Sequence, residues 1–325
     1  MTTLSKDQTE LENTPMQQPH AGLDVAKALS PRRPWTWVIT AIALVFGAQF
    51  VQLLLTNPNF EWDVVAQYLN SETVLTGVVM TILLTIAAMA IGLVLGGVLA
   101  VCRMADNTVL RTLASIYIWF FRGTPQLVQL IFWFNIGLLV PVLSIGIPFG
   151  PAFASIESNT LITPLLAAIV GLGLHEAAYQ AEIYRAGLMS VDEGQLEAAK
   201  AVGMKPVRVF FRIHLPQAMR FIVPPTFNAI IGMVKGTSLV SVIGGAELLF
   251  SVQEIYSQTY QTVPLLIVAC VWYLFITTLL NGVQFFIERH YGRGSSRNGS
   301  TSPFGRLLDR RAALRVQNLA RGSES

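Results

Sequence analysis

Hydrophobic and polar positions in this chain do not alternate; they separate into long apolar runs joined by polar connections. The runs 35–60, 73–102, 123–156, 158–175 and 255–287 contain no Asp, Glu, Lys or Arg, and a sixth, 221–246, is interrupted only by Lys235. A helix needs about 20 apolar residues to cross roughly 30 Å of hydrocarbon. Turn signals shorten several runs: Asn57-Pro58-Asn59 ends the first, Gly146 to Gly150 with Pro148 and Pro151 marks a turn in the third, and the polar stretch 256–262 reads as loop. The pattern predicts an all-α membrane protein of about six transmembrane helices, at about 35–55, 74–101, 123–143, 161–182, 221–246 and 264–287.

Composition agrees. Of 325 residues, 53% are hydrophobic and 13% charged, against about 25% charged in an average soluble domain. A soluble fold could not hide that apolar surface. The first run has a basic flank, Arg32-Arg33, that also suits a secretory signal peptide. The long polar leader and the lack of a small-x-small cleavage site favour a retained helix. Cys102 and Cys270 make no disulfide framework and read as apolar residues. Gly92-x-x-x-Gly96 and Gly232-x-x-x-Gly236 are spacings that let helix backbones approach.

Charge placement sets an expected orientation. The connections 56–73, 144–160 and 247–263 contain no Lys or Arg, whereas the leader, the segment after the second span, the loop 185–220 and the tail carry nearly all of them. The positive-inside rule then puts both termini in the cytoplasm of a multi-pass protein.

The loop 185–220 is not a featureless linker. Ser190-Val191-Asp192-Glu193 fits a capping box that starts a helix, and Gly203 supplies a left-handed stop. Pro206 restarts a helix at a position that tolerates proline, and Pro216 marks the next break. The apolar residues Leu196, Ala199, Val202, Val207, Phe210, Phe211 and Ile213 exceed what a solvated loop needs. Two readings follow: a docking surface for a cytoplasmic partner, or an interfacial helical hairpin on lipid head groups.

Glu197-Ala198-Ala199, then Gly203, then Ile213-His214-Leu215-Pro216 resembles the EAA loop of permease subunits of bacterial ABC importers. Phe121-Arg122-Gly123-Thr124-Pro125 with Gln129, the segments 175–179 and 181–185, and Lys235-Gly236-Thr237-Ser238-Leu239 look like the polar amino-acid permease group. Gly236 departs from the pattern, where that family often carries a polar residue. The resemblance covers roughly residues 72–288. It implies a type I ABC importer permease-like bundle in the bacterial cytoplasmic membrane. It also implies coupling to a partner ATPase through Glu197, Ala198, Ala199, Gly203, Ile213, Leu215 and Pro216. The implied partners are two ATPase subunits holding ATP and magnesium, a second permease (a homodimer or a similar paralogue) and an extracytoplasmic solute-binding protein. No nucleic-acid partner is expected. The organisation is then a leader (1–34), an extra transmembrane helix (35–56), a permease core (72–288) with its loop at 190–216, and a basic tail (289–325) whose segment 306–319 is either a surface helix or disordered.

No Gly-Lys dipeptide occurs, so the chain lacks a Walker A phosphate loop and is expected to have no catalytic site. His175-Glu176 begins like a zinc-protease motif, but Tyr179 stands at the second histidine position, and no metal site is expected. The expected substrate pathway consists of Arg122, Thr124, Gln129, Glu176, Tyr179, Glu182, Lys235, Thr237 and Ser238. A lysine near a helix centre costs about 2.5–3.5 kcal/mol, so Lys235 either lines a pathway or gate, or is a buried or snorkelling charge; Glu176 and Glu182 are its expected partners. Those two glutamates mark a cavity shared with Tyr179, or else the cytoplasmic mouth. Arg122 is either a basic flank or a ligand for a substrate carboxylate. The functional expectation is the membrane subunit of an ATP-driven importer of a polar amino acid or related compound. The alternative is a stand-alone secondary carrier or channel.

Overall fold

The computed structural model describes residues 34–147 and 152–291. The expected leader and the tail beyond Tyr291, with its segment 306–319 expected as either a surface helix or disordered, lie outside these residues. The chain divides into two units, Met1–Pro58 and Asn59–Ser325. In the first unit, α1 (Pro34–Thr56) is a helix of 23 residues without an acidic or basic side chain, about 35 Å long.

The second unit contains α2 (Trp62–Leu69), α3 (Glu72–Met104), α4 (Thr108–Gly123), α5 (Gln126–Phe134) and α6 (Ile136–Leu139). A hairpin follows, β1 (Val142–Gly146) and β2 (Ala152–Glu157), then α7 (Ser158–Leu161), α8 (Pro164–Met189), α9 (Glu193–Ala201) and α10 (Pro206–Val209). A π turn, Phe210–His214, leads into α11 (Leu215–Gly236), which tightens into a 3₁₀ segment, Thr237–Ile243; α12 (Leu248–Thr259) and α13 (Thr262–Tyr291) complete the unit. Helix starts are capped as their sequences direct: Ser71 accepts from the Val74 amide, Asn107 from Val109 and Leu110, and Thr163 from Leu166 with Pro164 behind it.

The centre of the unit is α3 against α8. Between apolar helices in lipid there is no hydrophobic drive to associate, so small residues that permit close packing decide the contact. A Cβ on Gly92 would lie 2.7 Å from Glu176 Cγ, and one on Gly96 would lie 2.6 Å from Gln180 Cβ. The pair Gly92 and Gly96 is therefore a close-approach site. Gly173 meets Ile91, Glu176 meets Gly92 and Gln180 meets Gly96, so the two helices run parallel. Gly232 has open space beside it among the described residues, and Gly236 meets only the Gln126 side chain at 3.7 Å, so this pair is not a close-approach site like Gly92 and Gly96. A second cluster, with Val74, Val78, Val234, Leu248, Val252, Leu265 and Val268, joins α3, α11, α12 and α13.

Among the described residues, four stretches are long and apolar enough to cross a bilayer: Trp35–Thr56, Glu72–Met104, Pro206–Ile243 and Thr262–Tyr291. The expected fourth span is α8, 26 residues long but carrying Glu176, Glu182 and Arg185. The expected third span, 123–143, is α5, α6 and the first strand residues, preceded by α4 where a loop was expected. Residues 256–259, expected in a loop, belong to α12, and the helix expected from 221 starts six residues earlier as α11. Among the described residues the fold is helical apart from the β1–β2 hairpin, which pairs Val142 with Glu157 and Leu143 with Ile156 and bulges beyond Ile145. The apolar run through this region carried no period-two alternation strong enough to reveal strands.

Candidate functional site

The loop after α8 forms a rigid foot. Helix α9 starts at Asp192, whose carboxylate accepts from the Gln195 amide at 3.2 Å. Ser190 was the expected cap, but it is the C-cap of α8, and its hydroxyl donates to the Gly187 carbonyl. At the far end Gly203 has φ +78°. Its amide donates to Lys200 O at 2.9 Å and the Met204 amide to Ala199 O at 3.2 Å, the double bond pattern of a Schellman stop. Pro206 opens α10 as expected, but Pro216 breaks nothing: it sits in the first turn of α11, where its missing amide is harmless.

Three contacts seat the foot. Val191, Ala218 and Ile222 are buried together with Leu188, Leu196 and Met219 against them. Gln217 donates to Gln195 at 2.7 Å, and the His214 ring donates to Leu188 O at 2.9 Å. Ala199 is buried, and Ile213 and Leu215 are half-buried, whereas Glu197, Ala198 and Gly203 are exposed beside Val202, Val207 and Phe211. One face of the loop is thus bound to the helix ends and the other presents apolar side chains and a carboxylate without an ion-pair partner among the described residues.

The expected pathway residues separate into four groups. In the first, α4 ends and α5 begins across Thr124-Pro125. Gln129 reaches back over the break and donates to Phe121 O at 3.0 Å and to the Thr124 hydroxyl at 2.5 Å. Its carbonyl accepts from His175 at 3.1 Å, the His175 ring packs on Tyr179 with centroids 5.0 Å apart, and the Arg122 guanidinium stands 5.3 Å above the Tyr179 ring. Arg122 lies in the last turn of α4, just ahead of the Thr124-Pro125 break. It faces Tyr179, ten residues before the end of α8, about 15 Å along that helix.

In the second group, Glu176 is buried against Gly92. Thr226 donates to the Gln180 carbonyl at 3.1 Å and the Gln180 amide donates to Glu176 at 2.8 Å, joining α11 to α8. In the third, Glu182 faces two cations: Arg185 donates to it at 2.8 and 3.0 Å, and Arg103 lies 3.0 Å away as an ion contact outside hydrogen-bond alignment. The expected pairing of Lys235 with either glutamate is therefore not formed, because each carboxylate is held by a nearer partner.

The fourth group is the end of α11. Lys235 is exposed. The Thr237 and Ser238 hydroxyls donate to Val234 O and Lys235 O, both at 2.7 Å, and so satisfy carbonyls where the helix narrows. A Cβ on Gly236 would lie 3.7 Å from the Gln126 amide. The α4–α5 break and the α11 transition are therefore neighbours.

One element escaped the sequence reading. Glu247, noted only as a charge in a connection, is fully buried. It caps α12 by accepting from the Phe250 amide at 2.8 Å and accepts from Tyr273 at 2.6 Å, while the Thr81 hydroxyl accepts from the Leu248 amide at 3.2 Å. Burial pushes the Glu247 carboxyl pKa up, against the pull of these hydrogen bonds. The signal was a lone Glu two residues after Gly244-Gly245 and before an apolar helix. Its partners come from distant helices and were not readable.

Residues 92–293 match the family described as binding-protein-dependent transport system inner membrane component. The arginine transport system permease protein ArgU of Corynebacterium glutamicum is 42% identical over 285 residues, 87% of this chain and 88% of that protein. The L-cystine transport system permease protein TcyB of Bacillus subtilis is 37% identical over 234 residues, covering 71% of this chain and 92% of its own. Among solved structures, an amino acid ABC transporter crystallised with histidines superposes with a TM-score of 0.58 at 32% identity, over 67% of this chain and 94% of its own.

Proposed function

This chain belongs to the family of binding-protein-dependent transport system inner membrane components, and on that premise we propose how it passes an amino acid through the membrane. The chain is the permease subunit of an amino-acid ABC importer, and a stand-alone carrier or channel is not favoured.

The observation that carries the finer reading is the meeting of two interrupted helical paths, α4–α5 and α11 with its 3₁₀ extension, beside Arg122. Helix interruptions expose backbone groups where a solute has to be bound and released. Arg122 receives the substrate carboxylate, since a guanidinium offers paired donors that match it. Thr124, Gln129, Tyr179, Lys235, Thr237 and Ser238 surround the path, while Glu176 and Glu182 hold the helices that frame it. Arginine is the first substrate to test, because a relative that matches over most of both chains is an arginine permease.

The energy comes from outside the chain. Two ATPase subunits bind ATP and magnesium and grip the exposed face of α9. Glu197 and Ala198 carry the contact, Ala199 packs the short helix onto its seat, Gly203 sets the angle, and Ile213, Leu215 and Pro216 fix the loop to α11. A second permease, identical or similar, completes the passage, and an extracytoplasmic binding protein delivers the solute. The basic loop and both termini face the cytoplasm, by the distribution of Lys and Arg. Reconstitution of the chain with its ATPase and binding protein in proteoliposomes tests this: ATP-dependent uptake of labelled arginine, competed by unlabelled arginine, is expected. Uptake without ATPase, or of no amino acid, overturns it.

A further inference from the structure

The β1–β2 hairpin has two unlike faces. Directly paired residues of an antiparallel ladder share a face, and the next pair lies on the other. Leu143 pairs with Ile156, and Ala154 lies on the same side two residues on; Ser144 pairs with Ser155 and Val142 with Glu157 on the opposite side, while Phe153 falls in the bulge. An antiparallel sheet with one apolar face ordinarily packs that face on a core. Here Leu143 is 39% and Ile156 46% exposed, and Phe153 74%.

The hairpin is nonetheless firmly rooted. The Ser158 amide donates to Pro141 O at 2.9 Å, and the Ser158 hydroxyl donates to Val140 O. The apolar face therefore rises from a closed base.

Three observations decide what covers it. First, the hairpin connects α6 to α7 and α8 at the end of the bundle opposite the α9 loop, where the bilayer surface lies if α8 crosses it. Second, its apolar exposure is continuous with that of its neighbours: Leu138, Leu139 and Val140 are exposed on one side, Leu161 and Leu165 on the other. Third, the stretch from Gly123 to Ile156 carries no charge, and Glu157 stands alone at the foot. A soluble partner is ordinarily steered and oriented by charge, and this hairpin offers only Glu157, at its foot and on the face opposite Leu143 and Ile156. Two strands also leave backbone groups unpaired on both outer edges, which is forbidden in the hydrocarbon interior but satisfied by water at its boundary.

We propose that the β1–β2 hairpin is a membrane-interface element, its Leu143–Ile156 face bedded among the upper acyl chains and its Ser144–Ser155 face turned to the head groups and water on the side opposite the α9 loop. It would fix the depth and tilt of the helices it joins. The inference rests on membrane insertion of this chain and not on its substrate or its coupling.

Single cysteines at Leu143, Ile156, Ser144 and Ser155, in a Cys102→Ser, Cys270→Ser background, are labelled with an environment-sensitive fluorophore in phospholipid nanodiscs. The expected result is blue-shifted emission at Leu143→Cys and Ile156→Cys, quenched by nitroxide lipid labelled high on the acyl chain and little by aqueous iodide. At Ser144→Cys and Ser155→Cys iodide quenches and lipid nitroxide does not. Iodide quenching at all four positions overturns the proposal. So does shielding of Leu143→Cys and Ile156→Cys from both quenchers, which means a second copy covers the face, or shielding that appears only on adding the extracytoplasmic binding protein, which means the face docks that protein. Arginine uptake by the same variants is read separately in proteoliposomes with the ATPase and binding protein, so a failure of transport with the expected quenching leaves this inference standing.

Discussion

Arg122 and Tyr179 stack, with the guanidinium carbon 5.3 Å from the ring centroid, and this contact joins the end of α4 to the middle of α8. Tyr179 in turn packs on His175, and His175 donates to Gln129. The arc closes on Thr124 at the helix break. Arg122 is thus held in direction without being neutralised: among the described residues no carboxylate pairs with it. A positioned cation with an open charge is what binding of an amino-acid carboxylate requires.

The first prediction concerns that pair. A cation–π contact contributes about 0.5–2 kcal/mol, or roughly twofold to thirtyfold in affinity at about 1.4 kcal/mol per tenfold. Tyr179→Phe keeps the ring and should transport nearly normally. Tyr179→Ala should raise the substrate concentration for half-maximal uptake by roughly that range, and Arg122→Gln should do so more strongly, with assembly unchanged. Normal uptake by Arg122→Gln removes the carboxylate role.

Lys235 is exposed at the end of α11, within a stretch apolar enough to span a membrane, and it forms no ion pair with Glu176 or Glu182. A lysine in that position costs about 2.5–3.5 kcal/mol to insert, and the proposed pathway role is what would offset that cost. Lys235→Ala should insert and assemble at least as well as the parent yet import poorly. If a well-expressed Lys235→Ala variant takes up substrate at the parental rate, the charge is incidental.

Glu247 yields a pH prediction. Its pKa in the folded protein lies above the ordinary carboxyl value because burial disfavours the charge. The folded state therefore holds this proton more tightly than the unfolded chain, and stability falls as pH rises through and above the ordinary range near 4.3. Thermal unfolding in detergent should show a smaller loss of stability between mildly acidic and neutral pH for Glu247→Gln than for the parent. Tyr273→Phe removes one donor to a buried oxygen and should cost about 1–3 kcal/mol. Identical pH profiles for parent and Glu247→Gln would falsify the buried-carboxyl account.

What was legible in the sequence follows physical range. Long charge-free runs marked α1, α3 and α13, because a bilayer crossing is a property of twenty consecutive residues. Gly203 and Pro206 marked the α9 loop, because a left-handed stop and a restart are local. The α3–α8 contact was half legible: Gly92 and Gly96 stood out, but Gly173 opposite them did not. Ser190 was misread as an N-cap because nothing in four residues shows that it closes the end of α8. The Thr124-Pro125 break displaced the third span, since α4 keeps apolar residues on both sides of Arg111 and Ser115. The partners of Glu247 and the arc from Arg122 to Gln129 bring together residues from separate helices, and neither spacing nor period reports on that.

The last prediction separates shape from space at Gly203. A Cβ there would touch nothing within 4 Å, so no clash opposes a side chain. The backbone, however, stands at φ +78°, where a Cβ costs roughly 1–2 kcal/mol and asparagine is tolerated best after glycine. Gly203→Asn should therefore keep the Schellman stop and near-normal coupling. Gly203→Val should swing α9 on its foot while α8 and α11, packed through Val191, Ala218 and Ile222, remain in place. Glu197 is exposed on the same short helix, and Glu197→Lys reverses the charge it offers a partner without altering the fold. Both Gly203→Val and Glu197→Lys should insert normally, retain less ATPase subunit on co-purification, and hydrolyse ATP without matching uptake in proteoliposomes. If Gly203→Asn fails as badly as Gly203→Val, the left-handed turn is not what matters there. If Gly203→Val and Glu197→Lys both hold the ATPase and import at the parental rate, the α9 loop is not the coupling element.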